Sequence, residues 1–445
     1  MLSFFFKKSK NKEPFQIFNS LSVKSFGALL AFLVQIILTN NLGAEKFGIY
    51  ILAITWMIVI GTFLSSFLHL PIIRIVSDYI IKKKYQFIRG FKQKLNIYIC
   101  ISSSLSIIAI YLFLYIFFKS NYLSYEYFNI FIYSPPIIIL ICFININKSF
   151  LFAVSRSAEG MFSELVLRPA IMIFLILVFI FSYELIYPNP KNIILMITIS
   201  YFISMIFSFL ILGIFYKNLY IKKKSKFEEN SWIKISTPFI FVSIGDLMIS
   251  RTDVLILGVF VNSKDIAIYF TSMLLVSIIS MITNSIDGVL APKFAEYFSK
   301  KNYKQTQLYF NKKIIIINLI TIPISLIIIF FGSEILSIFG KDFSEGKSIL
   351  IILVISQIFH SIIGPVGMLL GIYNQQYNLA KITIFCGLIY LTTLITLIPI
   401  YGAEGAAIAR LITFMIFSTS QAYIVWKKIG IMTSILAPII NFTKK

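Results

Sequence analysis

The sequence is short of charge. Only 13% of its 445 residues are Asp, Glu, Lys or Arg, against roughly 25% in a soluble domain, and that shortage excludes a water-soluble globular enzyme. Acidic residues are scarcer still, 18 against 40 Lys and Arg, leaving a net charge of +22. Cysteine occurs three times, at Cys100, Cys142 and Cys386, always inside apolar runs and with no CxxC spacing. A disulfide framework and a thiolate metal site are therefore not expected. The two histidines, His69 and His360, are isolated from each other and read as packing or interfacial residues. The opening MLSFFFKKSKNKE has no long apolar stretch before its charges, so no cleavable signal peptide is expected. What the chain has in abundance is apolar surface: 58% hydrophobic and 16% aromatic residues, with a mean hydropathy of +0.89.

A bilayer core of about 30 Å needs roughly 20 apolar residues per helix. Such runs fall at 18–40, 48–70, 95–118, 129–147, 165–183, 193–216, 236–261, 266–290, 314–336, 347–371, 380–400 and 404–426. Twelve spans follow. Pro399, Gly402 and Gly405 mark the turn between the last two. Basic residues orient them. The termini and the loops on their side carry 31 Lys and Arg, whereas the opposite side has six: Lys46, Lys119, Lys191, Lys264, Lys341 and Lys347. Acidic residues do not follow that split. The richer side is expected to be cytoplasmic, with both termini inside, which requires an even number of spans. The charge thus reports topology and contact with anionic lipid, not nucleic acid. Aromatic residues such as Phe4, Phe5, Tyr122, Tyr125, Tyr127 and Tyr187 sit at span ends as interface belts.

The two halves repeat. At a shift of 219 residues, LTNNLGAEKFGIYILA (38–53) lies without gaps over LGVFVNSKDIAIYFTS (257–272), with Tyr50 on Tyr269. Pro71 and Pro292 each open a basic loop after the next span. Parallel repeats of six helices place a substrate site between two lobes. The expected organisation is a lobe over 1–216, a cytoplasmic linker over 217–232 and a second lobe over 233–445.

Five motifs in this order, LGAEKFGIY, RSAEGMFSELVLRP (156–169), RTDVLILGVF (251–260), LAPKFAEYFSKKN (290–302) and LIPIYGAEGAAIA (397–409), carry a family likeness. The chain resembles, over essentially its whole length, the Wzx-type polysaccharide flippases for O-antigen and capsule of the multidrug/oligosaccharidyl-lipid/polysaccharide exporter superfamily. The resemblance implies an all-α integral membrane protein of twelve transmembrane helices, two six-helix lobes around a central cavity in the MATE transporter fold. It implies a substrate, an oligosaccharide repeat unit on a polyprenyl pyrophosphate, moved from the cytoplasmic to the outer leaflet of the bacterial inner membrane by alternating access. No enzyme activity and no cofactor are expected; coupling to an H+ gradient, to a Na+ gradient or to neither stays open. The expected partners are the lipid-linked substrate, membrane lipids, a polysaccharide polymerase and a chain-length regulator.

Charges inside a span are costly and therefore mark function. The candidates for substrate binding are Lys24, Arg156, Arg168, Arg251 and Arg410; those for ion coupling are Asp246, Asp253 and Asp287. Asp246 and Asp253 are seven residues apart and would share one face of the seventh helix. Arg251 either binds pyrophosphate oxygens, whose geometry suits a guanidinium, or forms an ion pair with Asp253. Lys24 and Arg410 either meet the headgroup or snorkel to the nearer surface. Arg156 and Arg168 would lie at the inner mouth, where they attract the headgroup or serve only the inside-positive bias. Carboxyls in apolar surroundings can exchange a proton near neutral pH; Asp287, just before Pro292, can instead solvate its helix end.

Two other transporters share this architecture. A cation-coupled multidrug exporter would place an acid deep in the first lobe, and the sequence suggests none, with Glu164 read at an inner helix end and Glu184 just past an outer one. A lipid II flippase also moves a polyprenyl pyrophosphate, but the resemblance implies two further helices for that group.

Overall fold

Backbone amides in lipid have no water to bond, so apolar runs of this length close their hydrogen bonds internally as helix. The computed structural model describes residues 12–120, 125–182, 190–216 and 225–433, and among them there is helix and no strand. The elements are α1 (Lys12–Ser66), α2 (His69–Ile81), α3 (Tyr85–Lys119), α4 (Tyr125–Phe131), α5 (Ile137–Ala153), α6 (Ser157–Phe162), a π-helical turn (Ser163–Leu167), α7 (Arg168–Ser182), α8 (Pro190–Tyr216), α9 (Glu229–Ser250), α10 (Thr252–Phe260), α11 (Ser263–Ser299), α12 (Tyr303–Phe330), α13 (Gly332–Ser337), a 3-10 turn (Lys341–Gly346), α14 (Lys347–Ile363), α15 (Val366–Ile372) and α16 (Gln376–Ile429). Phe4, Phe5, Tyr122, Glu184 and Tyr187 lie outside the described residues, as do the side chains of Tyr125 and Asp287.

Eight helical stretches of the described residues are long and apolar enough to cross a membrane. Two of them are interrupted by a single glycine. Gly43 in α1 has φ 73° and ψ 170°, and Gly402 in α16 has φ 58° and ψ −136°. A side chain is strained in such a backbone. Taking each side of these breaks separately, and adding the shorter apolar α5 and the α9–α10 pair, the helices are consistent with twelve passes. Gly402 falls at the turn expected between the last two spans.

Several expected spans are interrupted, three of them as follows. The run 129–147 is divided, because the Ser134-Pro135-Pro136 turn ends α4 and α5 starts only at Ile137; proline lacks the helical donor and restricts the residue before it. The run 236–261 is interrupted at Arg251, and 347–371 at Gly364–Pro365, where Gly364 has φ 86°. On α3, Ile97, Ile101, Leu105, Ile108, Leu112 and Ile116 are all exposed. Their three- and four-residue spacing makes one apolar stripe, as expected of a helix facing lipid.

The chain divides into two compact units, Met1–Leu42 with Ile49–Ser243, and Gly43–Gly48 with Ile244–Lys445. The boundary lies inside α9, beyond the linker expected at 217–232. The described part of that linker is fastened to the first unit: the Lys226 amide donates to the Gln86 carbonyl at 3.2 Å, and Lys94 pairs with Glu229 at 2.8 Å. Tyr79 donates to Glu228 at 2.9 Å and accepts from the Trp232 indole at 2.8 Å.

Each unit repeats one device. In the first, Asn147 of α5 donates to Ser208 of α8 at 2.9 Å; in the second, His360 of α14 bonds Ser418 of α16 at 2.8 Å. Both tie the fourth pass of a half to its sixth. His360 thus has the packing role expected of it. His69 likewise bonds Ser149, at 2.7 Å.

Candidate functional site

The break at Arg251 builds the most buried ion pair among the described residues. α9 ends at Ser250, Arg251 takes a non-helical backbone (φ −144°, ψ −6°), and α10 restarts so that Asp253 stands in its first turn. There the Val254 amide donates to Oδ1 of Asp253 at 2.9 Å, the favourable place for a carboxylate at a helix start. Oδ2 receives three donors: the Tyr269 hydroxyl at 2.7 Å, the Tyr390 hydroxyl at 3.0 Å and Nη1 of Arg410 at 2.9 Å. Asp253 and Tyr269 are 0% exposed. The Arg410 side chain is 16% exposed and lies over the Phe414 ring, 5.0 Å from its centroid.

This geometry corrects two sequence expectations. Asp253 pairs with Arg410, not with its near neighbour Arg251. Asp246 and Asp253 do not share a surface, because the helix is broken between them: Asp246 is exposed and Asp253 fully buried. Arg251 itself is half-buried at the break, and Lys24 is exposed on α1. Asp287 lies in α11, its side chain outside the described set.

The first unit holds a second polar cluster. Helix continues without a gap from Ser157 to Ser182 through the π-helical turn. Arg156 stands just before it, paired with Glu159 at 2.9 Å and stacked over Phe215 at 4.7 Å. Glu164 is inside the π turn and pairs with Lys148 of α5 at 2.6 Å. The reading of Glu164 as a residue of a helix end is therefore wrong; the first unit does carry an interior acid, and a basic partner holds it. His69 is close enough to both to feel their charges. π turns inside α-helices recur at functional sites.

Arg168 is also deeper than the mouth position expected of it, roughly 16 Å along the run from Ser157 at 1.5 Å per residue. It donates Nε–H to the Glu164 carbonyl at 3.3 Å and lies over the Tyr201 ring, 4.8 Å from its centroid. Tyr50, on the second half of α1, is buried. Sequence reasoning did not single out Tyr201, Tyr269, Tyr390 or Lys148; the only signal was the repeat that laid Tyr50 over Tyr269. Among the described residues no three His, Cys, Asp or Glu side chains gather as metal ligands would.

Comparison with known proteins agrees with this architecture. The family model for polysaccharide biosynthesis proteins matches residues 16–298, and the MatE family model matches residues 238–400. A Haloferax volcanii protein named as a probable low-salt glycan biosynthesis flippase, Agl15, is 27% identical over 204 residues, 46% of this chain and 43% of that protein. The capsular polysaccharide biosynthesis protein CapF of Staphylococcus aureus is 28% identical over 234 residues, 50% of this chain and 57% of that protein. The matches thus span about half the length of these curated relatives. Among solved structures, the lipid II flippase MurJ in an inward closed conformation superposes with a TM-score of 0.72 at 16% identity, covering 95% of this chain and 91% of that one. An inward-facing multidrug resistance MATE transporter gives 0.69 at 13% identity, covering 96% and 100%. At such identities the likeness concerns the fold.

Proposed function

Because the chain belongs to the polysaccharide biosynthesis protein family, we propose that it is a flippase that moves a polyprenyl-pyrophosphate-linked oligosaccharide repeat unit from the cytoplasmic to the outer leaflet by alternating access. Its product feeds surface polysaccharide such as O-antigen or capsule. The observation that carries an anionic rather than a cationic substrate is the state of the interior acids. Asp253 is committed to Arg410, and Glu164 to Lys148. A cation exporter needs a carboxylate free to meet its cargo, and paying for two internal ion pairs removes these two from that use. Lys24, by contrast, has no ion pair among the described residues, which suits a pyrophosphate.

Ion coupling narrows by the same argument. Asp253, saturated by four donors, is a poor group to load and unload a proton or Na+. Asp246 is exposed and has no hydrogen bond or ion pair among the described residues, so it is the coupling residue on this reading. Lys24 is the candidate for the headgroup on this reading, whereas Arg410 acts through Asp253. The protein works in the bacterial inner membrane, termini inside, beside a polymerase and a chain-length regulator.

Deletion of the gene in the source organism tests this. Lipid-linked repeat units should accumulate on the cytoplasmic leaflet and surface polysaccharide should disappear. Unchanged surface polysaccharide, with altered resistance to cationic drugs, is the result that favours a multidrug exporter.

A further inference from the structure

We propose that His69 is a proton-binding site of the first unit: Nε2 takes the proton, Glu164 balances its charge, and the loaded state ties α2 to the π-helical turn. The site rests on the geometry of this unit alone, whereas its effect on transport rests on the flippase reading.

Counting hydrogens fixes the tautomer of the neutral ring. The Ser149 hydroxyl donates its one hydrogen to the Asn145 carbonyl at 2.7 Å, so toward His69 it can only accept. Nδ1 of His69, 2.7 Å from that oxygen, is therefore the donor. Nε2 is left with the lone pair. It can take a proton without breaking the hydrogen bond that holds the ring, and His69 is only half-buried. The rest of the network is already satisfied, since Asn145 donates to Ser65 at 3.0 Å and Ser65 to the Gly61 carbonyl at 2.7 Å. His360 lacks this arrangement. Its partner Ser418 makes no backbone hydrogen bond among the described residues, so either atom of that pair can donate.

The same stretch of α5 supplies the counter-charge. His69 meets the Phe152 ring edge-on, with 5.4 Å between centroids. Gly160 packs on that ring and on the Lys148 carbonyl, each 3.2 Å from where a Cβ would stand. Lys148 lies one turn before Phe152 and Glu164 one turn after Gly160, and the two are joined at 2.6 Å. His69 and the ion pair therefore occupy adjoining turns of one helix crossing. Lys148 engages only Oε2 of Glu164, which leaves Oε1 for a second cation. The other charged groups of these elements are placed elsewhere: Arg156 pairs with Glu159, Asp78 with Lys82, and Arg74 is exposed five residues further along α2. Arg168, one turn beyond Glu164, donates to its carbonyl and adds its charge to that of Lys148 on the carboxylate. From α1 comes Ser65 and from α3 Tyr98, against Phe67. Lys148 and Glu164 are the charges that act on His69.

An unperturbed imidazole changes charge between about pH 5 and 8. Once protonated, it is a cation in apolar surroundings, costly by itself and less so beside a carboxylate.

The chain has only two histidines, so imidazole NMR of the purified full-length protein in detergent tests this, with His69→Gln identifying the signal. The His69 ring should titrate with a midpoint between about pH 5 and 8, and its neutral form should carry the hydrogen on Nδ1. Glu164→Gln should lower its proton affinity about tenfold or more. A ring that stays neutral across that range, or whose neutral form carries the hydrogen on Nε2, overturns the site. Both are read on the wild type, whether or not any variant folds. An unchanged midpoint in folded Glu164→Gln overturns the counter-charge. In liposomes, movement of a pyrophosphate-linked oligosaccharide lipid should step across that midpoint in the wild type and in His360→Gln, and lose that step in His69→Gln. A step that persists in His69→Gln overturns the link to transport. Titration of His69 in a protein that moves no such lipid overturns the flippase reading and supports the proton site.

Discussion

Asp253 and Arg410 meet across 157 residues of sequence in a place with no access for Asp253 to solvent. Removing one partner of such a pair leaves the other charge buried alone, which costs about 3–5 kcal/mol. Arg410→Met and Asp253→Asn should each lower the melting temperature in detergent strongly, and the double variant should recover most of the loss. Single variants that melt like the wild type would contradict the buried pair. Asp246 behaves differently, being exposed: Asp246→Asn should leave the melting temperature within the scatter of surface variants and shift the pH dependence of transport. Intramembrane charges were readable as candidates from sequence because their cost does not depend on the fold. Their partners were not readable. Arg251 is two residues from Asp253 and was the natural suspect, but a break in one helix and the packing of α16 gave the acid to Arg410.

At the scale of the helix, the interruptions carry the design. Gly43 sits in a backbone region that is essentially reserved for glycine, so Gly43→Ala should destabilise the fold by about 1–3 kcal/mol. Gly213 is helical, with nothing within 4 Å of an added Cβ, so Gly213→Ala should be neutral or slightly stabilising. Paired thermal melts decide this; equal effects at both positions would show that the Gly43 conformation is not needed. The Gly402 turn was legible because Pro399, Gly402 and Gly405 punctuate an otherwise unbroken apolar run. The Pro135-Pro136 break carries an equally plain signal, but hydropathy runs unbroken across it through 129–147. The π turn Ser163–Leu167 has no Gly or Pro to announce it, and without it Glu164 was assigned to the end of a helix rather than to its interior. The pairing of Tyr50 with Tyr269 in the repeat points to one corner of the Asp253 cluster; its other corners lie on helices whose alignment drifts between the halves.

For the whole molecule, the proposed orientation rests on the basic loops. Within one of them, hydrogen bonds from Lys293 and Lys300, each at 2.7 Å, hold the Glu296 carboxyl down at about 2, so the charge of this loop does not change across physiological pH. In intact cells with a cysteine-free background, a membrane-impermeant maleimide should label Lys264→Cys and Lys341→Cys. Lys83→Cys and Lys301→Cys should react only after permeabilisation; the reverse pattern would invert the topology. The direct test of the flippase itself is transbilayer movement by the purified protein in liposomes. These would carry a pyrophosphate-linked oligosaccharide lipid whose exposed sugar is read by an impermeant enzyme or lectin. Protein-containing vesicles should bring the inner-leaflet pool within reach while protein-free vesicles keep it protected. Exposure at the same rate with and without the protein would contradict the proposed activity.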